Sequence, residues 1–123
     1  IRDLNTVKYS VNPYNVGSMA MAAGIGALDD EDYRIRNCRT IMENREYTER
    51  ELKQLGFTMT DSRANFIFVR HPRISGEALY LELKKRGVLI RHFTKERICD
   101  YNRITIGTRE QMDVLLKNVK ELL

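Results

Sequence analysis

The sequence predicts an α+β fold: a small mixed or antiparallel sheet of three to four strands, helices packed on one face, and a long connecting helix ahead of it. Three observations predict it. Apolar residues recur at helical spacing from Tyr33 to Leu55; the period switches to alternation after Gly56; and Met112, Leu115, Leu116, Val119 and Leu122 return to a helical stripe. With 123 residues, 42% hydrophobic and 31% charged, the chain has the length and composition of a globular domain with a core of its own.

Residues 1–14 read as an irregular lead-in, punctuated by Asn12-Pro13-Tyr14-Asn15, because Pro13 pushes Asn12 out of the α region. Residues 18–28, rich in Ala, Met and Gly, predict a helix buried on several sides. Asp29-Asp30-Glu31-Asp32 places negative charge at the start of the next helix. That helix carries Cys38, Ile41, Met42, Leu52 and Leu55 on one face and stops at Gly56 after about six turns.

Alternation in Phe57-Thr58-Met59-Thr60 predicts a strand, Asp61-Ser62 a turn, and Asn65-Phe66-Ile67-Phe68-Val69 a buried strand closed by His71-Pro72-Arg73. Ser75 caps a helix bearing Ala78, Leu79 and Leu83 that ends at Gly87. Val88-Leu89-Ile90 and Ile104-Thr105-Ile106 read as two further strands. Thr108 with Gln111 fits a capping box that opens the last helix.

Several function classes fall away. No apolar run approaches the roughly 20 residues that span a bilayer. The opening residues lack the apolar core of a secretory leader, and a start at Ile1 suggests a piece of a longer protein. Cys38 and Cys99 have no metal-ligand spacing and read as free thiols, which with the missing leader suggests the cytoplasm. The net charge of +4 is mild, and the basic residues 34–50 alternate with Glu43, Glu46 and Glu49 as on a solvated helix, so no nucleic-acid partner is expected.

No complete catalytic constellation is visible. His71 beside Pro72 reads as a loop histidine, and His92 as a surface or pocket-lining residue. The informative side chains are Arg91, which ends one apolar strand, and Arg103, which begins another. Guanidinium forks anchored at strand ends can converge on a carboxylate or phosphate. The pattern equally allows two surface ion pairs, for example with Glu96 or Asp100.

Residues 87–108 carry a more specific pattern: Gly87, a short strand ending in Arg91, Phe93, a basic loop with Lys95 and Arg97, Asp100-Tyr101, and Arg103-Ile104-Thr105-Ile106-Gly107-Thr108. Upstream, Tyr9-Ser10-Val11-Asn12-Pro13-Tyr14-Asn15-Val16, the two helices and Ser62-Arg63-Ala64-Asn65-Phe66 follow in order. Over nearly its whole length the chain resembles the small domain of the histidinol-phosphate aminotransferase family, fold-type-I pyridoxal-phosphate enzymes. The resemblance implies residues 1–14 as a lead-in from a large domain, 15–56 as connecting helices and 57–123 as the small α/β domain. It implies a transaminase working between L-glutamate and histidinol phosphate or imidazole acetol phosphate, as a homodimer. Arg103 matches the family arginine that binds the glutamate carboxylate or the phosphate, and Arg91 a second arginine near that phosphate. Asn65 is expected to orient Arg103, and the Pro13-Tyr14-Asn15 turn to approach a partner subunit's site. The chain has no Ser-x-x-Lys for the cofactor lysine and no aspartate matched to the pyridine nitrogen, so the resemblance implies an N-terminal large domain outside it and no catalytic residue within. An aromatic aminotransferase, an amino-acid phosphate decarboxylase, or a free-standing α+β interaction module are the competing expectations.

Overall fold

In the computed structural model, which describes residues 2–11 and 16–123, the chain runs through α1 (Arg2–Val11), α2 (Ser18–Asp29), α3 (Glu31–Gln54), β1 (Thr58–Met59), β2 (Phe66–Arg70), α4 (Gly76–Lys85), β3 (Arg91–His92), a 3-10 turn (Glu96–Ile98), β4 (Asn102–Thr105) and α5 (Arg109–Lys120). It divides into two units, Ile1–Arg36 and Asn37–Leu123.

The first unit departs from expectation twice. Most of the lead-in is helical, because Leu4 and Val7 sit three residues apart and Asp3 lies in the first turn, where it favours the helix dipole. The turn at residues 12–15 lies outside the described residues. The second departure is α2, expected to be buried and instead exposed throughout, with Met19 at 84% and Leu28 at 74%. At the start of α3, Asp30 Oδ1 accepts from the Tyr33 amide at 3.0 Å, a cap drawn from the acidic run.

In the second unit two glycines end helices in the same way. Gly56 (φ +89°) lets the Phe57 amide reach the Leu52 carbonyl, and Gly87 (φ +78°) lets Val88 reach Leu83. The second of these bonds explains why 88–90 is not a strand. Its first residue is tied back to α4, and pairing begins only at Arg91. Likewise the last strand is shifted to Asn102–Thr105, and Ile106 leaves it to donate to the Asn65 carbonyl at 2.8 Å.

The sheet is antiparallel throughout, in the order β1-β2-β4-β3. Its inner face presents Ile67, Val69 and Ile104 to Leu52 of α3, Leu79 and Leu83 of α4, and Met112, Leu115, Leu116 and Val119 of α5, all within 5% exposure. Helices therefore cover one face. Residues of β2 alternate in burial, so this strand is buried on one side only. Ser75 accepts from the Ala78 amide, and Thr108 with Gln111 forms the reciprocal box.

The buried face of α3 is not the apolar one. Asn44, Arg45 and Thr48 are buried with Leu52, whereas Met42 is half exposed and Cys38 exposed. Asn44 Nδ2 donates to the Gly107 carbonyl and Arg45 Nη1 to the Ala64 carbonyl, both at 2.9 Å. Tyr47 donates its hydroxyl to Asp113 at 2.7 Å, which holds the phenol pKa above its usual value, and the Arg109 guanidinium lies 3.5 Å from the ring centroid. Among the described residues no helix is long and apolar enough to cross a membrane.

Candidate functional site

The outer face of the sheet is set by alternation. Ile67, Val69, Asn102 and Ile104 point into the core, so Phe66, Phe68, Arg70, Arg103 and Thr105 point away from it. Register then decides which of these meet. Phe68 pairs with Arg103, and Arg103 pairs with Arg91, which places Phe68 and the two arginines in one row across three strands.

Like charges directly opposite on neighbouring strands destabilise a sheet. Yet among the described residues neither Arg91 nor Arg103 has a carboxylate within 4.0 Å, and Glu96 and Asp100 form no ion pair with either. Rings support them instead. Arg103 lies 5.4 Å from the centre of Phe66, Arg91 lies 5.6 Å from that of Phe93, and Arg70 lies 5.4 Å from that of Tyr101. Phe68 ties the rings together, edge-on to Phe93 at 5.8 Å and stacked on Tyr101 at 4.7 Å. The result is a fixed aromatic floor carrying exposed guanidinium groups, whose remaining N–H donors suit a carboxylate or phosphate.

Asn65 stands at the entry to β2, where its backbone carbonyl bonds Ile106 while its side chain is exposed and forms no hydrogen bond with Arg103. Tyr14 and Asn15 lie outside the described residues. His71 is a buried fastener: Nε2 donates to the Leu55 carbonyl at 3.1 Å and Nδ1 accepts from the Arg73 amide. His92 faces inward, half-buried and stacked on Tyr80. Cys99 donates to the Glu96 carbonyl, and Cys38 is exposed. No three metal-ligating side chains stand together among the described residues. The apolar cavity of about 480 Å³ lined by Val88, Leu89, Ile104, Met112 and Val114 includes neither arginine of the row.

Residue-by-residue reading of the motif missed Phe66, Phe68 and Arg70 as members of this surface. The signal was available: in Phe66-Ile67-Phe68-Val69-Arg70 the odd and even positions must part to opposite faces.

Residues 4–119 match the family model for aminotransferase class I and II. The chain is 41% identical over its full length to the histidinol-phosphate aminotransferase of Brachyspira hyodysenteriae and 44% to histidinol-phosphate aminotransferase 1 of Bradyrhizobium diazoefficiens; it spans 35% of the length of each. It superposes on the crystal structure of histidinol-phosphate aminotransferase from Clostridium acetobutylicum with a TM-score of 0.80 at 28% identity, covering 96% of this chain and 36% of that one.

Proposed function

The chain belongs to the class I and II aminotransferases, and on that premise we propose that its outer sheet face is the substrate-anion subsite of a histidinol-phosphate transaminase. The reading is carried by one observation: Arg91 and Arg103 stand opposite each other without a carboxylate among the described residues. An oxyanion between them would turn a repulsive pair into a clamp. Arg103, in the middle of the row, binds the glutamate carboxylate in one half-reaction and the phosphate of histidinol phosphate or imidazole acetol phosphate in the other. Arg91, on the edge strand, adds donors that a tetrahedral phosphate can use and a planar carboxylate does not require. Anchoring this remote group holds the reacting end of the substrate in place.

In this reading residues 57–123 are the small domain, 15–56 connecting helices, and 1–14 the lead-in from a large domain. The working protein is a homodimer.

Aminotransferases work with pyridoxal phosphate, and the described lysines of this chain do not fit it. Lys84 lies over the Tyr80 ring, Lys85 and Lys120 pair with Glu82 and Glu51, and Lys53, Lys95 and Lys117 are exposed. The arginine face therefore recognises substrate and leaves bond-making to residues elsewhere. Mixing this chain with pyridoxal phosphate and then borohydride is expected to put no stoichiometric adduct on any single lysine. A one-to-one phosphopyridoxyl peptide in the mass spectrum would contradict that.

The division of roles is tested in the enzyme at the relatives' full length. Arg91→Ala is expected to raise KM for histidinol phosphate about tenfold while changing the glutamate KM by less than about twofold. Equal losses for both substrates would refute it.

A further inference from the structure

We infer that Arg45 is a positioning residue for the anion subsite: from α3 it fixes the entry to β2, and with it the Phe66 ring on which Arg103 rests. The inference rests on the reading of Arg103 as the anion ligand.

Arg45 is 7% exposed, and no carboxylate among the described residues lies within ion-pair distance. Its hydrogen bond is to one backbone carbonyl, that of Ala64 at 2.9 Å. A buried guanidinium is costly unless it is paired. Its use here must lie in what it holds.

What it holds leads to Arg103 in short steps. The Ala64 amide donates to Ser62 Oγ, and that hydroxyl donates to the Phe66 carbonyl, so the turn from Ser62 to Phe66 is braced from within. Between Ala64 and Phe66, the Asn65 carbonyl accepts from Ile106, and Phe66 pairs with Thr105. Beside Arg45, Asn44 grips the Gly107 carbonyl. Consecutive residues of α3 thus clamp the chain just before β2 and just after β4. The Phe66 ring inside this clamp lies 5.4 Å from the Arg103 guanidinium carbon. Releasing Ala64 lets the ring shift, and the direction of Arg103 shifts with it.

The test uses the enzyme at the relatives' full length, with Arg45→Met, Arg45→Lys, Phe66→Leu and the Arg45→Met/Phe66→Leu pair. Arg45→Met is expected to raise KM for both glutamate and histidinol phosphate about tenfold with kcat within about twofold. Phe66→Leu should do the same, and the double variant should be no worse than either single one, since both act through one ring. Arg45→Lys, whose ammonium can reach the same carbonyl, should return KM to within about threefold of the parent. If Arg45→Met does not fold, Arg45→Gln takes its place in the comparison. Unchanged KM values in the Arg45 variants, or effects that simply add to those of Phe66→Leu, overturn the inference. Where Arg103→Ala still raises KM in that case, the reading of Arg103 survives. Where Arg103→Ala leaves both KM values unchanged, that reading fails first and the inference with it.

Discussion

Replacing Arg103 with alanine in the full-length enzyme is expected to lower kcat/KM by about 100-fold for glutamate and for histidinol phosphate alike, a loss of about 2.7 kcal/mol. Two charge-assisted hydrogen bonds disappear in each half-reaction, and the substrate loses the anchor at its remote end. Stability should move little and in no fixed direction. The substitution removes the cation–π contact of the guanidinium with Phe66, but it also removes the repulsion with Arg91 in the facing position. A thermal melt beside the kinetics separates the two. A 100-fold loss with an unchanged midpoint marks a ligand-binding side chain, whereas a loss that tracks a falling midpoint would mark a structural one.

Gly76→Ala is expected to damage the fold instead. A Cβ there would clash with the Cys99 carbonyl oxygen and stand 2.9 Å from the Asp100 carbonyl carbon, both backbone atoms that cannot swing aside. The Gly76 carbonyl also accepts from the fully buried Asn102 Nδ2 at 2.9 Å, so pushing α4 away breaks that bond as well. Overpacking of this kind costs about 1–3 kcal/mol, which in a unit of this size lowers the melting midpoint by about 5–20 °C. An unchanged midpoint would show that the 99–100 loop yields freely. Because Asn102 directly precedes Arg103, a second readout is a weaker affinity for phosphate in the variant while it is still folded.

Much of the architecture was legible because its punctuation is local. Gly56, Gly87, Ser75 and the Thr108–Gln111 box announce helix ends through their own backbone and side-chain chemistry. The buried face of α3 was not legible in this way. Hydrophobic periodicity reports transfer out of water, and Asn44 and Arg45 are held by carbonyls 63 and 19 residues away, which no local window contains. The strand at Arg91–His92 was displaced for a similar reason, since the apolar 88–90 run follows a helix-ending bond and not a partner strand. For the site, Arg91 and Arg103 stood out as strand-end arginines, but their facing positions depend on register, which pairing sets and composition does not. Exposure of α2 marks the reverse case. Its apolar pattern suggested burial, whereas its residues are exposed.

The facing row of Phe68, Arg103 and Arg91 also determines where the chain tolerates changes in length. Between Phe93 and Ile98 the backbone crosses exposed ground, and residues can be added or removed there without altering which way Arg103 points. Within β4 the arithmetic is modulo two. One inserted residue would turn the Arg103 guanidinium into the core and bring Ile104 to the surface, whereas two would restore the facing. For this surface, parity along a four-residue strand is a stricter constraint than the number of residues separating the two arginines.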